Sequence, residues 1–355
     1  MTSALWLAAS RWPAAALLDA VPPACRRAED GPTTVQIEGQ DALVETPAWP
    51  VAGATHFVPS FAAHTATSFD VRLELSVQVG GAWSSWAAGV PLGTASFGPS
   101  PPGSPLDVDV DVFRAPAPVD AARLRLRLRA ADPAAVLAAP WMLALSTSPS
   151  SGPPRQEERS TEASMRTDGQ GVRLAVPARS QMEAAAAIAS RICSPTCVAM
   201  LLDFWRRPTS LDALAAEMFH PGVDLYGVWP AAILAAGRRG LAGYLLRFPD
   251  WAAAQWCLAR GLPVIASIRY RAGELTGAAV PATPGHLVVL TGWDGDEILV
   301  NDPAAPTTAA VGRRYPMAEL TRVWLDRSGV GYVLFPPDAR GPGGHLGAPD
   351  RVTGG

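Results

Sequence analysis

The residues best placed to do chemistry in this chain are Cys193 and the histidines that could serve it. Cys193 lies in Ile192-Cys193-Ser194-Pro195-Thr196, directly ahead of Cys197-Val198-Ala199-Met200-Leu201-Leu202-Asp203-Phe204-Trp205. Ser194 is a favoured N-cap and Pro195 suits the first helical position, so a helix is predicted to begin just after the cysteine. The residues that follow are apolar almost all round, the pattern of a helix enclosed by a core. A thiol at such a start sits beside unpaired backbone N–H groups and the positive end of the helix dipole. Both favour thiolate and lower a pKa that is about 8.5 in a free cysteine. A thiolate is a nucleophile, and a nucleophile of this kind works with a base.

Five histidines are available: His56, His64, His220, His286 and His345. His345 lies in a Gly/Pro-rich tail, His56 and His64 in a separate N-terminal region, and His220 precedes Pro221 in a loop. His286 instead opens the buried-strand pattern His286-Leu287-Val288-Val289-Leu290-Thr291-Gly292-Trp293. Asp294-Gly295 then signals a hairpin turn before Glu297-Ile298-Leu299-Val300-Asn301-Asp302-Pro303. A three-residue loop over 293–295 sets residue 286 opposite 302. A two-residue loop at 294 and 295 sets His286 opposite Pro303, and Asp302 then needs a bend or bulge to reach the ring. In both registers the aspartate is within one cross-strand neighbour of the histidine, inside hydrogen-bond reach.

Cys193, His286 and Asp302 in this order, with Gln181 in Val176-Pro177-Ala178-Arg179-Ser180-Gln181 ahead of the cysteine, resemble the papain-like cysteine peptidases of the bacteriocin-processing, double-glycine leader type. The likeness is to their stand-alone, transporter-free bacterial members with a Cys-Ser-Pro-Thr helix start, and it covers residues 172–337. Tyr226-Gly227-Val228-Trp229-Pro230, Gly261-Leu262-Pro263-Val264-Ile265-Ala266-Ser267-Ile268 and Gly285-His286-Leu287-Val288-Val289-Leu290 also match. The resemblance implies Cys193 as nucleophile, His286 as general base and acid, Asp302 as orienting residue and the Gln181 amide as an oxyanion donor. It implies a peptide or protein substrate, and no cofactor or metal. Transporter-fused members carry Asp-Cys-Gly at the nucleophile and a closer glutamine. This chain has Ile192-Cys193-Ser194 and no nucleotide-binding or membrane-spanning part, so double-glycine specificity is not carried over.

Such residues act by thiolate attack on a carbonyl carbon, proton delivery from imidazolium to the leaving amine, and hydrolysis of the acyl-enzyme by water. Charge developing on the carbonyl oxygen needs donors fixed in advance, here the Cys193 backbone N–H and the Gln181 side chain. Each residue alone has a plainer reading: an inert buried thiol, a satisfied core histidine, a turn-capping aspartate, a solvated glutamine. The ordered set is what favours chemistry. Cys197, one turn beyond Cys193, reads as a packing residue. A zinc site of Cys193, Cys197, His220 and His286 lacks the matched second pair that zinc spacing requires. Tyr226, Trp229 and Trp293 are candidates for a substrate groove and equally for the core.

The chain has 355 residues, 48% of them hydrophobic, enough for two domains. Net charge is −3 and no basic cluster occurs, so nucleic acid is not an expected partner. All 29 basic residues are arginine. Four spaced cysteines make no disulfide framework, and free thiols are expected. No apolar run reaches a membrane-spanning length. The N-terminus lacks a basic n-region and its apolar stretch stops at Arg11, so no signal peptide is expected and the sequence alone points to the cytoplasm; the resemblance implies that secretion is common.

The expected architecture is α+β: a papain-like cysteine peptidase domain, its central helix against an antiparallel sheet, preceded by an all-β sandwich. Residues 1–33 form an Ala-rich, partly helical N-terminal segment. Residues 34–148 form the sandwich, 149–171 a linker, 172–337 the peptidase domain and 338–355 a disordered tail. Within the sandwich, Val71 to Val79 alternate with polar residues, then Gly80-Gly81 turns. Leu106 to Phe113 alternates with Asp107, Asp109 and Asp111, whose natural partners are the row Arg123, Arg125, Arg127 and Arg129. Trp83 and Trp86 suit packing better than a sugar site, so surface or carbohydrate contact is the lesser reading for this module. Three functions share these residues: peptide hydrolysis through a Cys-His-Asp triad, a non-catalytic peptide-binding protein on the same fold, and an amidase or acyltransferase acting on a non-protein amide.

Overall fold

The computed structural model describes residues 3–27, 33–99, 102–149 and 171–337. The tail expected over 338–355, and the linker expected over 149–171 apart from its two end residues, lie outside them. The chain divides into two compact units, Met1–Ser150 with Glu217–Arg247 and Pro336–Asp338, and Ser151–Ala216 with Phe248–Phe335 and Ala339–Gly355. The architecture is α+β with a β-rich N-terminal region.

The first unit holds two sheets. One is ordered Arg26–Arg27 (β2), Ala4–Ser10 (β1), Trp141–Ser148 (β12), Ala54–Ala63 (β5), Val112–Val119 (β10) and Asp107–Asp109 (β9). The other is ordered Thr34–Glu38 (β3), Asp41–Glu45 (β4), Ala121–Ala130 (β11), Phe69–Val79 (β6) and Ala82–Trp83 (β7), with Ala87–Ala88 (β8) beside β6. One apolar core takes Trp6, Phe57, Phe61 and Phe113 from the first sheet and Val71, Leu73, Leu124 and Leu126 from the second. The N-terminal segment expected to be partly helical has a helix at Ala14–Asp19, while residues 4–10 are a sheet strand paired along β12. Short apolar runs read alike as helix or strand until a partner strand decides.

Two further departures concern charge. The aspartates do not face the arginine row, because β9 and β11 belong to different sheets. Asp107 and Asp109 pair with Arg114 across a hairpin closed at Val110, φ +57°. The arginine row pairs inside its own sheet, Arg129 with Asp41, Arg123 with Glu45 and Arg125 with the buried Glu74. Trp83 and Trp86 lay their rings on Arg123 and Arg125, both at 4.1 Å. Asp111 turns inward, and its carboxylate accepts the Trp229 N–H (2.6 Å) at the start of a helix, Trp229–Arg238. That helix packs on β5, where a Cβ at Gly237 would sit 2.7 Å from the Ala63 nitrogen. Residues 217–247, which hold this helix and the strand Ala242–Arg247 (β14), cluster with the β-rich unit.

In the second unit an antiparallel sheet runs Val330–Phe335 (β19), Val264–Tyr270 (β15), Thr283–Asp294 (β16), Glu297–Asn301 (β17) and Gly312–Pro316 (β18), with Val172–Arg173 (β13) beside β16. The helix Trp251–Ala259 is capped by the Asp250 side chain on the Ala253 N–H (2.9 Å) and followed by Gly261 at φ +79°. A longer helix, Cys193–Phe204, lies against β16.

Candidate functional site

The helix Cys193–Phe204 begins at the cysteine itself, with Ile192 in the cap position and no side-chain cap. The start is thus earlier than the Ser194 cap predicts. Thr196 donates both its backbone N–H (3.0 Å) and its hydroxyl (2.7 Å) to the Ile192 carbonyl, fixing the first turn one residue sooner. The Ser194 hydroxyl is buried without a partner among the described residues. Pro195 fits the first turn because N–H groups there have no intrahelical acceptor. Ser194 through Leu202 are all buried, while Cys193 keeps part of its surface exposed.

His286 enters from β16, opposite Ile268 of β15. Its Nε2 lies 2.7 Å from Asp302 Oδ1, and the ring interacts electrostatically with the Cys193 thiol. Burial pushes the Cys193 thiol up, but the His286 hydrogen bond and charge, with the backbone N–H groups of Leu287 and Ser194, more than offset it and leave the pKa lowered. Burial pulls His286 down, yet Asp302 and Cys193 together raise it to about 10. Burial pushes Asp302 up, and His286, the Tyr315 hydroxyl and the Ala304 N–H outweigh it to hold the carboxyl below its usual range. All three shifts run toward the charged forms of the side chains.

The hairpin register is neither of those the sequence left open. The turn is Gly295-Asp296, Asp294 faces Glu297, and the extra residue Thr291 forms a bulge between Leu290 and Gly292. Val289 faces Asn301, so Asp302 follows the last paired residue and reaches His286 diagonally. The bulge sits where β13 crowds the strand: a Cβ at Gly292 would lie 1.8 Å from the Val172 oxygen, so only glycine fits.

Gln181 is buried, donates Nε2 to the Ala189 carbonyl (2.8 Å) and receives no partner for Oε1 among the described residues. Its backbone N–H binds the Pro303 carbonyl (2.8 Å), tying it to the residue after Asp302. Among the described residues it makes no hydrogen bond to Cys193, and one amide hydrogen remains for an acceptor. Cys197 is buried and its thiol donates to the Leu287 carbonyl (3.3 Å); burial first, then the charges of Cys193 and Asp302, push its pKa well up. His56, His64 and His220 belong to the first unit, and His345 lies outside the described residues. Among the described residues, no three metal-ligating side chains are grouped as a metal ion would need. Tyr315, which binds Asp302 Oδ2 at 2.6 Å, was not legible in the sequence, because nothing in Arg313-Arg314-Tyr315-Pro316 points at a carboxylate.

A cysteine at the first turn of a buried helix thus faces a histidine on an antiparallel sheet, and that histidine is held by an aspartate. Residues 173–332 match the Peptidase_C39 like family. A double-glycine motif protease from an AMS/PCAT transporter, solved in complex with the leader peptide, is 21% identical with a TM-score of 0.32, over 47% of this chain and 98% of that one. A putative C39-like peptidase from Bacillus anthracis is 18% identical with a TM-score of 0.37, over 46% of this chain and 97% of that one. No curated protein matches the chain. Among the described residues, no helix is long and apolar enough to cross a membrane.

Proposed function

We propose that the chain is a cysteine peptidase that hydrolyses peptide bonds through Cys193, His286 and Asp302 and a covalent acyl-enzyme. The observation that carries this reading is the His286 ring, 2.7 Å from Asp302 Oδ1 through Nε2 and in electrostatic interaction with the Cys193 thiol. The thiolate attacks the substrate carbonyl carbon. Charge builds on the carbonyl oxygen, where the Cys193 N–H and the free Gln181 amide hydrogen are the donors. His286 then gives its Nδ1 proton to the leaving amine, and the neutral ring activates the water that releases the acid. Asp302, ionised throughout, holds the ring by Nε2 and favours its charged form. In this reading the two facing sheets form a sandwich that acts as an accessory module and supplies no catalytic group.

The experiment is selective alkylation. Iodoacetamide at neutral pH should modify Cys193 far faster than the buried Cys25, Cys197 and Cys257. Cleavage of a diverse peptide library should be lost in Cys193→Ala. Equal labelling of all four thiols in the folded protein rules the reading out, and fast Cys193 labelling with no peptide cleaved leaves the binding-protein or amide-transfer alternatives in its place.

A further inference from the structure

Asp302 is held from both sides. Oδ1 accepts from His286 Nε2 (2.7 Å) and the Ala304 N–H (2.9 Å), while Oδ2 accepts from the Tyr315 hydroxyl (2.6 Å). Both Asp302 and Tyr315 are 0% exposed, so water cannot replace that hydroxyl. Tyr315 stands on β18 opposite Ile298 of β17, and the β17–β18 pairing continues to Asn301 opposite Gly312, the step from which Asp302 leaves the sheet. The tyrosine spans that step from the neighbouring strand. Resting on the peptidase reading, we propose that Tyr315 is a positioning residue that acts through Asp302 to hold Cys193 and His286 as the thiolate–imidazolium pair.

The physical case has two parts. A carboxylate turns about its Cβ–Cγ bond, and turning takes Oδ1 away from Nε2; a donor on Oδ2 fixes the angle. A buried carboxylate with an unmatched oxygen also gives up its charge more readily, since each hydrogen bond to the charged form favours it. Once neutral, Asp302 no longer supports the imidazolium, and the pair reverts to thiol and neutral ring. Tyr315 remains a donor at every working pH, because burial and then the Asp302 charge push its own ionisation far above the ordinary tyrosine range. The other ionisable groups that sense Asp302 are Tyr270 and Cys197, both pushed up, by burial first. Arg313, on the same strand, acts on Tyr315 in the opposite direction and donates to the Gly277 carbonyl (2.7 Å). None of these can take the place of the Tyr315 hydroxyl on Oδ2.

The test is the pH profile of Cys193 alkylation in the full chain, for the wild type, Tyr315→Phe, Tyr270→Phe, Asp302→Asn and the Tyr315→Phe/Asp302→Asn double variant. Tyr315→Phe should move the acid limb up by about one pH unit, a roughly tenfold slower reaction on that limb. Tyr270→Phe loses a hydrogen bond to the Val280 carbonyl (3.1 Å) in the same unit and should overlay the wild type. In the Asp302→Asn background, adding Tyr315→Phe should change the rate by less than about twofold, because a residue acting through the Asp302 carboxylate has nothing left to act through. A Tyr315→Phe profile that stays in place while melting temperature falls overturns the proposal, as does an equal loss in the Asp302→Asn background. Slow, unselective labelling of the wild type overturns the peptidase reading and this proposal with it. If Tyr315→Phe melts too early to assay, 3-fluorotyrosine-substituted protein carries a stronger hydroxyl donor. Its acid limb should move down, and an unmoved limb again refutes the role.

Discussion

Replacing Asp302 by Asn removes one charge and almost nothing else. The asparagine oxygen can still accept from His286 Nε2 and the Ala304 N–H, and its amide can donate to the Tyr315 oxygen, so shape and packing persist. What goes is the anion that helps lift His286 from 6.5 to about 10 against the downward pull of burial. At ~1.36 kcal/mol per pKa unit, that lift is worth on the order of 5 kcal/mol, shared between Asp302 and Cys193. The part supplied by Asp302 is lost from the thiolate–imidazolium pair relative to the neutral pair, and a loss of about two pKa units of that support is a factor on the order of 10² in their ratio. The rate of Cys193 alkylation at pH 7, followed by mass spectrometry of the labelled peptide, should fall by that order. There is a companion effect on stability. A raised histidine stabilises the fold below its unfolded pKa of 6.5, and this contribution is lost as pH rises through about 10, so the melting temperature of the wild type should decline across that window and that of Asp302→Asn should decline less. Alkylation profiles of the two proteins that overlay from pH 5 to 9 would refute the reasoning, since the charge at 302 would then contribute nothing to the pair.

Two further outcomes are expected. Gln181→Ala should lower turnover of a cleaved peptide by about 10²–10³ while leaving Cys193 alkylation within about twofold, because an oxyanion donor acts only once a carbonyl is attacked; equal turnover in the two proteins excludes the role. Asp111 is raised by burial from 3.8 to about 7, so its contribution to stability is full below pH 3.8 and is lost as pH rises through about 7. Asp111→Asn, which keeps an acceptor for the Trp229 N–H, should therefore flatten the dependence of unfolding free energy on pH between 4 and 8, by up to about 4 kcal/mol; identical slopes would show that the carboxyl does not titrate there.

The order Cys193, His286, Asp302 was legible because its carriers are local. A cysteine beside a proline-marked helix start, a histidine opening a β-branched run and an aspartate closing the next strand are short-range patterns, and sixteen residues of hairpin bring the last two together under any nearby register. The alternations of β6 and β11 were equally local, as was the Gly80-Gly81 turn, where both residues take positive φ. The register itself was not. It depends on a bulge at Thr291 next to a glycine crowded by Val172, a residue more than a hundred positions away. Nor could the helix start be set to the residue, because Thr196 competes with Ser194 for the role of fixing the first turn, and packing decides between them.

What this sequence determined by itself is the set of groups able to react and the side of each strand they occupy, since periodicities of 2 and 3.6 follow from backbone geometry alone. Tertiary structure decided which groups keep company. The aspartates of 107–111 went to a different sheet from the arginines that mirror them, and Asp111 found a helix start at Trp229 instead. Residues 217–247 joined the β-rich unit, and Tyr315 reached Asp302 from a strand whose pattern says nothing of carboxylates. Charge strength followed the same division: Cys193, His286 and Asp302 take their protonation states from burial and from one another, and neither exists until the chain has closed around them.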